Sequence, residues 1–322
     1  MASMDKILAA YKERVALHEA GTSPFAKGIA WIENKLVPLH EARIPILDQG
    51  FWHSDLAYDA PAVWNGRFFR LDDHIDRLDA SCDKILLKSP LPRDEMKRIL
   101  CDMVSKTGLR DAQAVIIVTR GLTDVRGWDP RKLVNNLYMF VKPYGWLMQP
   151  ENHYAGGSAM VARTVHRIPP GAIDPTVKNL QWGDLIRSVL EVQDCGATYP
   201  FLTDQEGNLT EGPGFNIHLV QDGVIYTPDR GVLQGITRRS VLDLCKANGV
   251  EIRVDVVPVD MVYQCEEIFL SSTAGGILPI TKLDGVPVGD GKPGPITMKV
   301  WDAYWGMHDD AAYNFQIEYT SP

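Results

Sequence analysis

Cysteine is scarce in this 322-residue chain, which contains five cysteines and no Cys-x-x-Cys pair. An odd count without paired spacing excludes a disulfide framework and a structural zinc site as expectations. We therefore expect reduced thiols, no metal site and a cytoplasmic location.

Long apolar runs are also missing. No stretch approaches the roughly 18 apolar residues of a membrane span, and the charged first twenty residues lack the apolar core of a secretory signal. The net charge is −8, so no basic face for nucleic acid is predicted. No Gly-x-Gly-x-x-Gly follows an early strand, which disfavours a dinucleotide-binding dehydrogenase.

The composition that remains is typical of a globular enzyme, with 45% hydrophobic and 23% charged residues. Helical and strand patterns alternate in both halves, which indicates an α+β protein. We predict a small α/β domain over residues 1–144, including a helical N-terminal arm that packs on a neighbour. An interdomain linker is predicted over 145–157, and a larger domain over 158–322. Asn65-Gly66 and Asp222-Gly223 predict two tight hairpin turns.

Four short segments and one helical arginine carry the candidate chemistry. Lys178 lies between apolar and amide residues at a predicted strand-to-helix junction. A lysine amine that is kept from water becomes a nucleophile for carbonyl carbon. Glu211 precedes Gly-Pro-Gly, a tight turn that can aim a carboxylate at a cationic ring nitrogen. Taken alone, an arbitrary lysine is far more often a solvated surface residue, and a solvated acid at a turn is also common.

The other segments suggest an anion site. Gly235, Ile236 and Thr237 open a helix, where exposed backbone N–H groups attract anions. Thr273 and Ala274 precede two glycines that allow close backbone approach to a ligand. Plain helix capping by Thr237 and a strand-ending turn are the structural alternatives. Arg77 on a predicted helix is able to clamp a phosphate.

The order of these residues resembles that of the fold type IV enzymes that use pyridoxal 5′-phosphate. That family includes branched-chain and D-amino-acid aminotransferases and aminodeoxychorismate lyase, and the resemblance spans roughly residues 28–320. The sequence is most similar to the fungal-type (R)-selective amine transaminases. The matching stretches include Glu41-Ala42-Arg43-Ile44-Pro45, Asp48-Gln49-Gly50-Phe51, Arg67-Phe68-Phe69-Arg70-Leu71-Asp72-Asp73-His74 and 169–185, which reads Pro-Pro-Gly-Ala-Ile-Asp-Pro-Thr-Val-Lys-Asn-Leu-Gln-Trp-Gly-Asp-Leu.

The resemblance implies a small N-terminal domain, a larger domain with a β-barrel-like core, and a homodimer with active sites at the subunit boundary. It implies that Lys178 bonds to the cofactor and moves the proton in a ping-pong transamination between a chiral amine and a ketone or keto acid. Glu211 would pair with the ring nitrogen. The phosphate would be held by Arg77, Gly235, Ile236, Thr237 and Thr273.

By position in the family pattern, the substrate would meet His53, Tyr58, Ala60, Arg126, Trp182 and Ala274. A mobile Arg126 would pair with a keto-acid carboxylate and withdraw for an apolar amine. Some residues depart from the pattern: Pro213 stands where Ser is usual, and Ala57, Ala60, Gln113 and Val115 also differ. A valine-to-alanine change at 60 predicts a pocket that accepts groups larger than methyl.

Three other readings remain open. A D-amino-acid or branched-chain aminotransferase of the same fold would need a permanent carboxylate site. A lyase on this scaffold would share Lys178 and Glu211. A non-catalytic homodimeric binding protein would keep the fold without binding the cofactor covalently.

Overall fold

A computed structural model describes residues 4–19, 23–123 and 129–319. They fold into two compact units. The N-terminal unit comprises Asp5–Gly145, Val177–Gln181 and a final segment that starts at His308. The C-terminal unit comprises mainly Trp146–Thr176 and Trp182–Met307.

The described residues form seven α-helices, and none of these helices has the length and apolar character needed to cross a membrane. Their bounds in chain order are α1 Met4–Glu19, α2 Gln49–His53, α3 Leu71–Lys84, α4 Arg93–Thr107, α5 Gly183–Asp194, α6 Ile236–Ala247 and α7 Pro295–Met307.

The strands of the N-terminal unit form one sheet and those of the C-terminal unit another. The strand bounds are β1 Ile29–Ile32, β2 Lys35–Pro38, β3 Leu56–Asp59, β4 Ala62–Trp64, β5 Arg67–Phe69, β6 Ala112–Thr119, β7 Asn136–Pro143, β8 Gly157–Val161, β9 Tyr199–Phe201, β10 Glu211–Gly212, β11 Phe215–Gln221, β12 Val224–Pro228, β13 Ile252–Asp255, β14 Glu267–Ser272, β15 Gly276–Leu283, β16 Val286–Pro287 and β17 Asn314–Gln316.

The N-terminal unit packs α3 and α4 on its sheet. Leu71, Ile75 and Leu78 recur at helical spacing on α3 and are buried with Met96 and Leu100 of α4 in one core cluster. Strand β17 pairs with β5 and adds the end of the chain to this sheet. The unit is therefore built from three separate parts of the sequence.

The C-terminal unit has the β-barrel-like core that the family resemblance implied. Strands β11, β14, β15, β8 and β9 are neighbours in that order, and β10 pairs with β11. Leu202, directly after β9, donates to the Glu211 carbonyl at 3.1 Å and accepts from the Thr210 N–H at 2.9 Å. These bonds connect β9 to β10 and complete a ring of six strands, which confirms the α+β fold with a barrel-like core.

Both predicted hairpin turns are present. Asn65 and Gly66 between β4 and β5 have φ angles of 48° and 76°, and Asp222 and Gly223 between β11 and β12 have 50° and 76°. Positive φ at both central residues is what a type I′ turn requires, and Asn, Asp and Gly adopt it at low cost.

The predicted linker at 145–157 is instead packed into the C-terminal unit from Trp146 onward. Met148, Pro150 and His153 are buried there, and the His153 Nδ1 accepts from the Trp301 indole at 3.0 Å. Because the apolar and aromatic side chains of this segment are packed in a core, the segment is part of the C-terminal unit and is not a free linker.

The packing of two helices also differs from expectation. Helix α1 does not project as an arm, because Arg14 pairs with Asp111 at 2.6 Å and Tyr11 stacks on Trp64 of the same unit. The spacing of Leu185, Ile186, Val189 and Leu190 predicts an inward-facing stripe on α5, but Ile186 and Leu190 are 50% and 58% exposed. The buried residues of α5 are Leu185, Ser188 and Val192, so the inward stripe is rotated relative to the prediction.

Candidate active site

Lys178 lies in the loop that connects strand β8 to helix α5 and belongs to the N-terminal unit. Its carbonyl accepts from the Tyr58 N–H at 2.9 Å, and its N–H donates to Ser81 Oγ at 3.2 Å. The chain therefore fixes this residue through its backbone to β3 and α3. The amine is left on the face of the Tyr58 ring, 4.6 Å from the centroid.

Arg77 lies on α3 and forms a two-point ion pair with Asp59, the last residue of β3. The Nε–Oδ2 distance is 2.8 Å and the Nη2–Oδ1 distance is 2.9 Å. The same buried carboxylate contacts His74 Nδ1 at 2.6 Å and accepts from the Ala60 N–H at 2.7 Å. A two-point pair fixes the direction as well as the position of a guanidinium.

The three side chains of this cluster differ in their charge. Burial raises the pKa of Asp59, but Arg77 and His74 outweigh it and hold that pKa far below its usual range. Burial lowers the pKa of His74, although Asp59 opposes the shift. The cluster therefore holds an ionised carboxylate, a guanidinium and a mainly neutral imidazole.

An apolar surface continues from Tyr58. Leu56, Tyr58 and Val115 form a small buried cluster, against which Ala60, Ile117 and Phe140 pack. Ala57 belongs instead to the main core of the unit, because successive residues of a strand point to opposite faces. Of the two alanine departures in this segment, only Ala60 lies on the Tyr58 side.

His53 ends α2 and is exposed, with its Nδ1 2.6 Å from Gln49 Oε1. The helix is anchored by Asp48, whose buried carboxylate accepts from the Gly50 N–H, Thr119 and Tyr138 at 2.8 to 2.9 Å. Burial and this carboxylate raise the pKa of Tyr138 well above its usual range. Arg126 lies outside the described residues.

Glu211 starts β10 in the C-terminal unit and is 5% exposed. Its Oε2 accepts from the Leu233 N–H at 2.8 Å, and its Oε1 lies 3.1 Å from the Arg167 guanidinium. Arg167 also pairs with Asp184 at 2.7 Å. Burial lowers the pKa of Arg167, but the two carboxylates outweigh it and raise that pKa above its usual range.

The predicted anion site is an open helix N-terminus in the C-terminal unit. Helix α6 begins at Ile236, and Gly235 occupies the cap position without a side-chain hydrogen bond. Thr237 is the second helical residue, so it does not cap the helix as the structural alternative proposed. A Cβ atom at Gly235 would lie 2.1 Å from Asn216 Oδ1, so only glycine fits there.

Ala274 belongs to the turn between β14 and β15. Its N–H donates to Ser272 Oγ at 3.2 Å, and its carbonyl accepts from the Leu147 N–H at 2.8 Å. Gly275 and Gly276 have φ angles of 127° and 75°, a backbone that other residues rarely adopt. Thr273 is half-buried in this turn.

Trp182 precedes α5 and packs against a small cluster of Val165, Leu185 and Leu202. Its ring lies 3.8 Å from where a Cβ would stand at Gly214, in the turn after Glu211. Within the C-terminal unit, the structure therefore brings Trp182 next to the Glu211 segment.

Sequence reasoning missed three charged residues of these two groups: Asp59, Arg167 and Asp184. Asp59 pairs with Arg77, 18 positions away, and Arg167 pairs with Glu211, 44 positions away. Asp184 joins the second group through its ion pair with Arg167. A buried cation needs a counter-ion. That rule requires a counter-ion for a buried Arg77 but does not say which carboxylate supplies it.

Residues 56–283 match the family described as amino-transferase class IV. The match covers most of the 322-residue chain, so the chain belongs to this family and is a transaminase. Aminotransferases of this fold use pyridoxal 5′-phosphate.

Among particular proteins, the chain is 30% identical over 275 residues to a D-alanine aminotransferase of Listeria monocytogenes, covering 84% of this chain and 92% of the relative. It is 29% identical over 286 residues to a putative branched-chain-amino-acid aminotransferase of Methanocaldococcus jannaschii, with coverages of 86% and 97%. The crystal structure of the Escherichia coli branched-chain amino acid aminotransferase superposes with a TM-score of 0.83 at 25% identity, covering 90% of this chain and 99% of that one.

Proposed function

We propose that this transaminase is an (R)-selective amine:pyruvate transaminase whose cofactor is bound to Lys178. The observation that supports it is the position of the Lys178 amine, 4.6 Å from the Tyr58 ring centroid and beside an apolar cluster. An amine on an apolar and aromatic surface is suited to a substrate whose substituents are apolar.

The side chains of the chain fit pyridoxal phosphate. An uncapped helix N-terminus at Ile236 and Thr237 suits a phosphate, and Arg77 supplies a guanidinium fixed by Asp59. Glu211 supplies a buried carboxylate for a protonated ring nitrogen. When bound, the cofactor supplies an aldehyde for amine attachment and a ring that withdraws electrons from the reacting carbon.

Lys178 has two roles in this proposal. Its Nζ anchors the resting cofactor, and, once displaced by the substrate amine, it takes the proton from the amine-bearing carbon and later returns it to the acceptor carbon. General acid–base transfer of this kind accelerates a reaction by about 10²–10⁴-fold. Because a single amine acts from one side, one enantiomer is selected, and the family pattern implies R.

We propose that the substrate pocket is lined by the other predicted site residues. Tyr58 and Ala60 would line the side that accepts the smaller substituent, with His53, Trp182 and Ala274 around the remainder. Arg126 would pair with the carboxylate of pyruvate. If so, Arg126→Ala loses turnover with pyruvate but keeps it with an uncharged ketone acceptor, whereas unchanged pyruvate kinetics would contradict this role.

A D-amino-acid or branched-chain aminotransferase is the second candidate. The names of the Listeria and Methanocaldococcus relatives support it. The two candidates differ in whether the site demands a substrate carboxylate. The ratio of kcat/KM for (R)-1-phenylethylamine to that for D-alanine and L-leucine separates them: we expect the amine to be preferred.

The cofactor assignment is tested separately by borohydride reduction of the holoenzyme, followed by peptide mass spectrometry. We expect the cofactor mass on the peptide that contains Lys178. Label on another lysine would refute the assignment. A chain that never takes up the cofactor would favour the non-catalytic reading.

We also propose a homodimer. Six large apolar side chains of the N-terminal unit are exposed: Ile44, Ile46, Leu47, Phe51, Trp52 and Leu122. Exposed apolar surface is typical of a protein–protein interface, and a second copy of the chain is the proposed partner. Light scattering should give twice the chain mass, and Phe51→Glu should shift it toward the monomer.

We also propose that the protein is cytoplasmic. All five cysteines are free thiols. Burial raises the pKa of Cys82 and Cys265 to about 12, so neither is easily oxidised. A reducing compartment suits such a set.

A further inference from the structure

Arg238 is a buried cation whose direct partners are all neutral. It is 3% exposed, in the first turn of α6. Its guanidinium donates to Gln234 Oε1 at 2.7 Å, to the Pro228 carbonyl at 2.8 Å and to Thr227 Oγ1 at 3.4 Å. In the described part of the chain, no carboxylate forms an ion pair with it.

Two physical rules make this placement costly. A buried charge normally pairs with an opposite charge, and a cation in the first turn of a helix meets the positive end of the helix dipole. Burial lowers the pKa of Arg238, and the more distant charges of Glu211 and Asp229 only partly oppose the shift.

The neighbouring groups do not remove the excess of positive charge. His218 is fully buried, and burial together with the charge of Arg238 lowers its pKa well below the usual range, so it stays neutral. Glu211 is shared with Arg167 at 3.1 Å. Two sources therefore make the start of α6 positive. One is the helix dipole, and the other is the charge of Arg238, whose guanidinium does not contact the open N–H groups.

We infer that Arg238 is a supporting cation for the phosphate of the cofactor: it holds the anion at Ile236 and Thr237 through its charge, without contacting it. The inference rests on the proposed cofactor function and adds a positioning residue to it. A dianion at the open helix end supplies the missing negative charge. In a low-dielectric interior, a unit charge acts over several ångströms with little screening.

The competing explanation is that Arg238 only braces the segment 227–234 through its three hydrogen bonds. A brace affects every ligand of the site alike, whereas a supporting cation affects only ligands with a phosphate. The comparison of pyridoxal phosphate with pyridoxal therefore separates the two roles.

The experiment measures equilibrium binding of both ligands to the full chain after cofactor removal. We expect Arg238→Met to weaken pyridoxal phosphate binding by about 10–100-fold, and pyridoxal binding by less than about threefold. Arg238→Lys should restore most of the preference for the phosphorylated ligand because it keeps the charge. Equal weakening of both ligands by Arg238→Met would overturn the inference in favour of the brace.

Arg239→Met is the matched control. This arginine is the next residue of the same helix turn but is exposed, so solvent screens its charge. We expect less than about a twofold change in the affinity for pyridoxal phosphate. A loss as large as that of Arg238→Met would overturn the inference, because burial would then not matter.

A second measurement does not need the cofactor. Inorganic phosphate should raise the melting temperature of the cofactor-free chain, and Arg238→Met should abolish most of that rise. If the chain binds phosphate in this way but never pyridoxal phosphate, the proposed function fails and the role of Arg238 stands. If Arg238→Met does not fold, Arg238→Lys decides: loss of the preference for the phosphorylated ligand overturns the inference.

Discussion

Arg77 and Arg238 are both largely buried cations, but their charges are balanced in different ways. Arg77 in the N-terminal unit has its counter-ion inside the chain, at 2.8 Å from Asp59. Arg238 in the C-terminal unit makes three hydrogen bonds of 2.7 to 3.4 Å to neutral oxygens. A buried cation paired within the chain contributes a fixed geometry. One without such a pair favours binding of an anion from outside.

Lys178 is a third kind of cation. Its backbone is held by Tyr58 and Ser81, while its amine rests on an aromatic ring. In the described residues its amine has no carboxylate partner. A reactive amine must leave and return during each turnover, and a strong ion pair would oppose that motion.

The largest effect should come from removing this unpaired amine. Lys178→Ala should lower kcat by about 10³-fold or more, because both the anchor and the proton carrier are lost. Steady-state kinetics with an amine donor and pyruvate measure it. Lys106→Ala, which removes an exposed lysine on α4, is the control and should keep full activity. Comparable turnover in the two variants would contradict the role of Lys178.

Breaking the paired cluster should affect stability more than chemistry. Asp59→Ala should lower the free energy of unfolding by about 3–5 kcal/mol, since it leaves Arg77 buried without its counter-ion. Urea titration measures it. Asp76 lies on α3, like Arg77, and forms an exposed pair with Arg93 of α4. Asp76→Asn should therefore cost less than about 1 kcal/mol. Equal losses of unfolding free energy in the two variants would show that the buried pair contributes no more stability than the exposed pair.

The same pair predicts a pH dependence. The folded pKa of Asp59 lies far below the usual value, so its contribution is present above the unfolded pKa of about 4 and is lost as the pH falls below it. The unfolding free energy should therefore decline below about pH 4, and Asp59→Asn should flatten that decline. An unchanged slope in the variant would show that other carboxylates dominate the acid limb.

A smaller effect is expected at the ring-binding carboxylate. Glu211→Gln keeps an acceptor for the Leu233 N–H but removes the charge. It should lower kcat by about 10–100-fold, the equivalent of one charge-assisted hydrogen bond. Glu211→Asp retains the charge and should lose less. If Gln is as active as Glu, the carboxylate does not act on the ring nitrogen.

The smallest effect concerns the pocket. Ala60→Val should reduce kcat/KM for ketones with the larger small-side substituent by about 5–30-fold, because the added methyl groups correspond to about 1–2 kcal/mol. Ala57→Val places the same atoms in the main core and should lower stability without moving the size limit. If both variants shift the limit equally, Ala60 does not line the pocket.

Local patterns in the sequence were enough for several features. The sequence predicted the Asn65-Gly66 and Asp222-Gly223 turns and the helix start after Gly235, because these features depend on residues that are near neighbours in the chain. The apolar spacing of α5 predicted its buried face only in part: Leu185 is buried, but Ile186 and Leu190 are apolar and exposed.

The sequence by itself determined which side chains can react, since an amine, a carboxylate and an uncapped helix start are local properties. Only the tertiary structure decided which charges are paired. Asp59 reaches Arg77 across 18 positions, and the segment 177–181 joins the N-terminal unit although its neighbours do not. Ion pairing depends on distances of a few ångströms and on exclusion of water, and neither exists until distant segments of the chain have packed together.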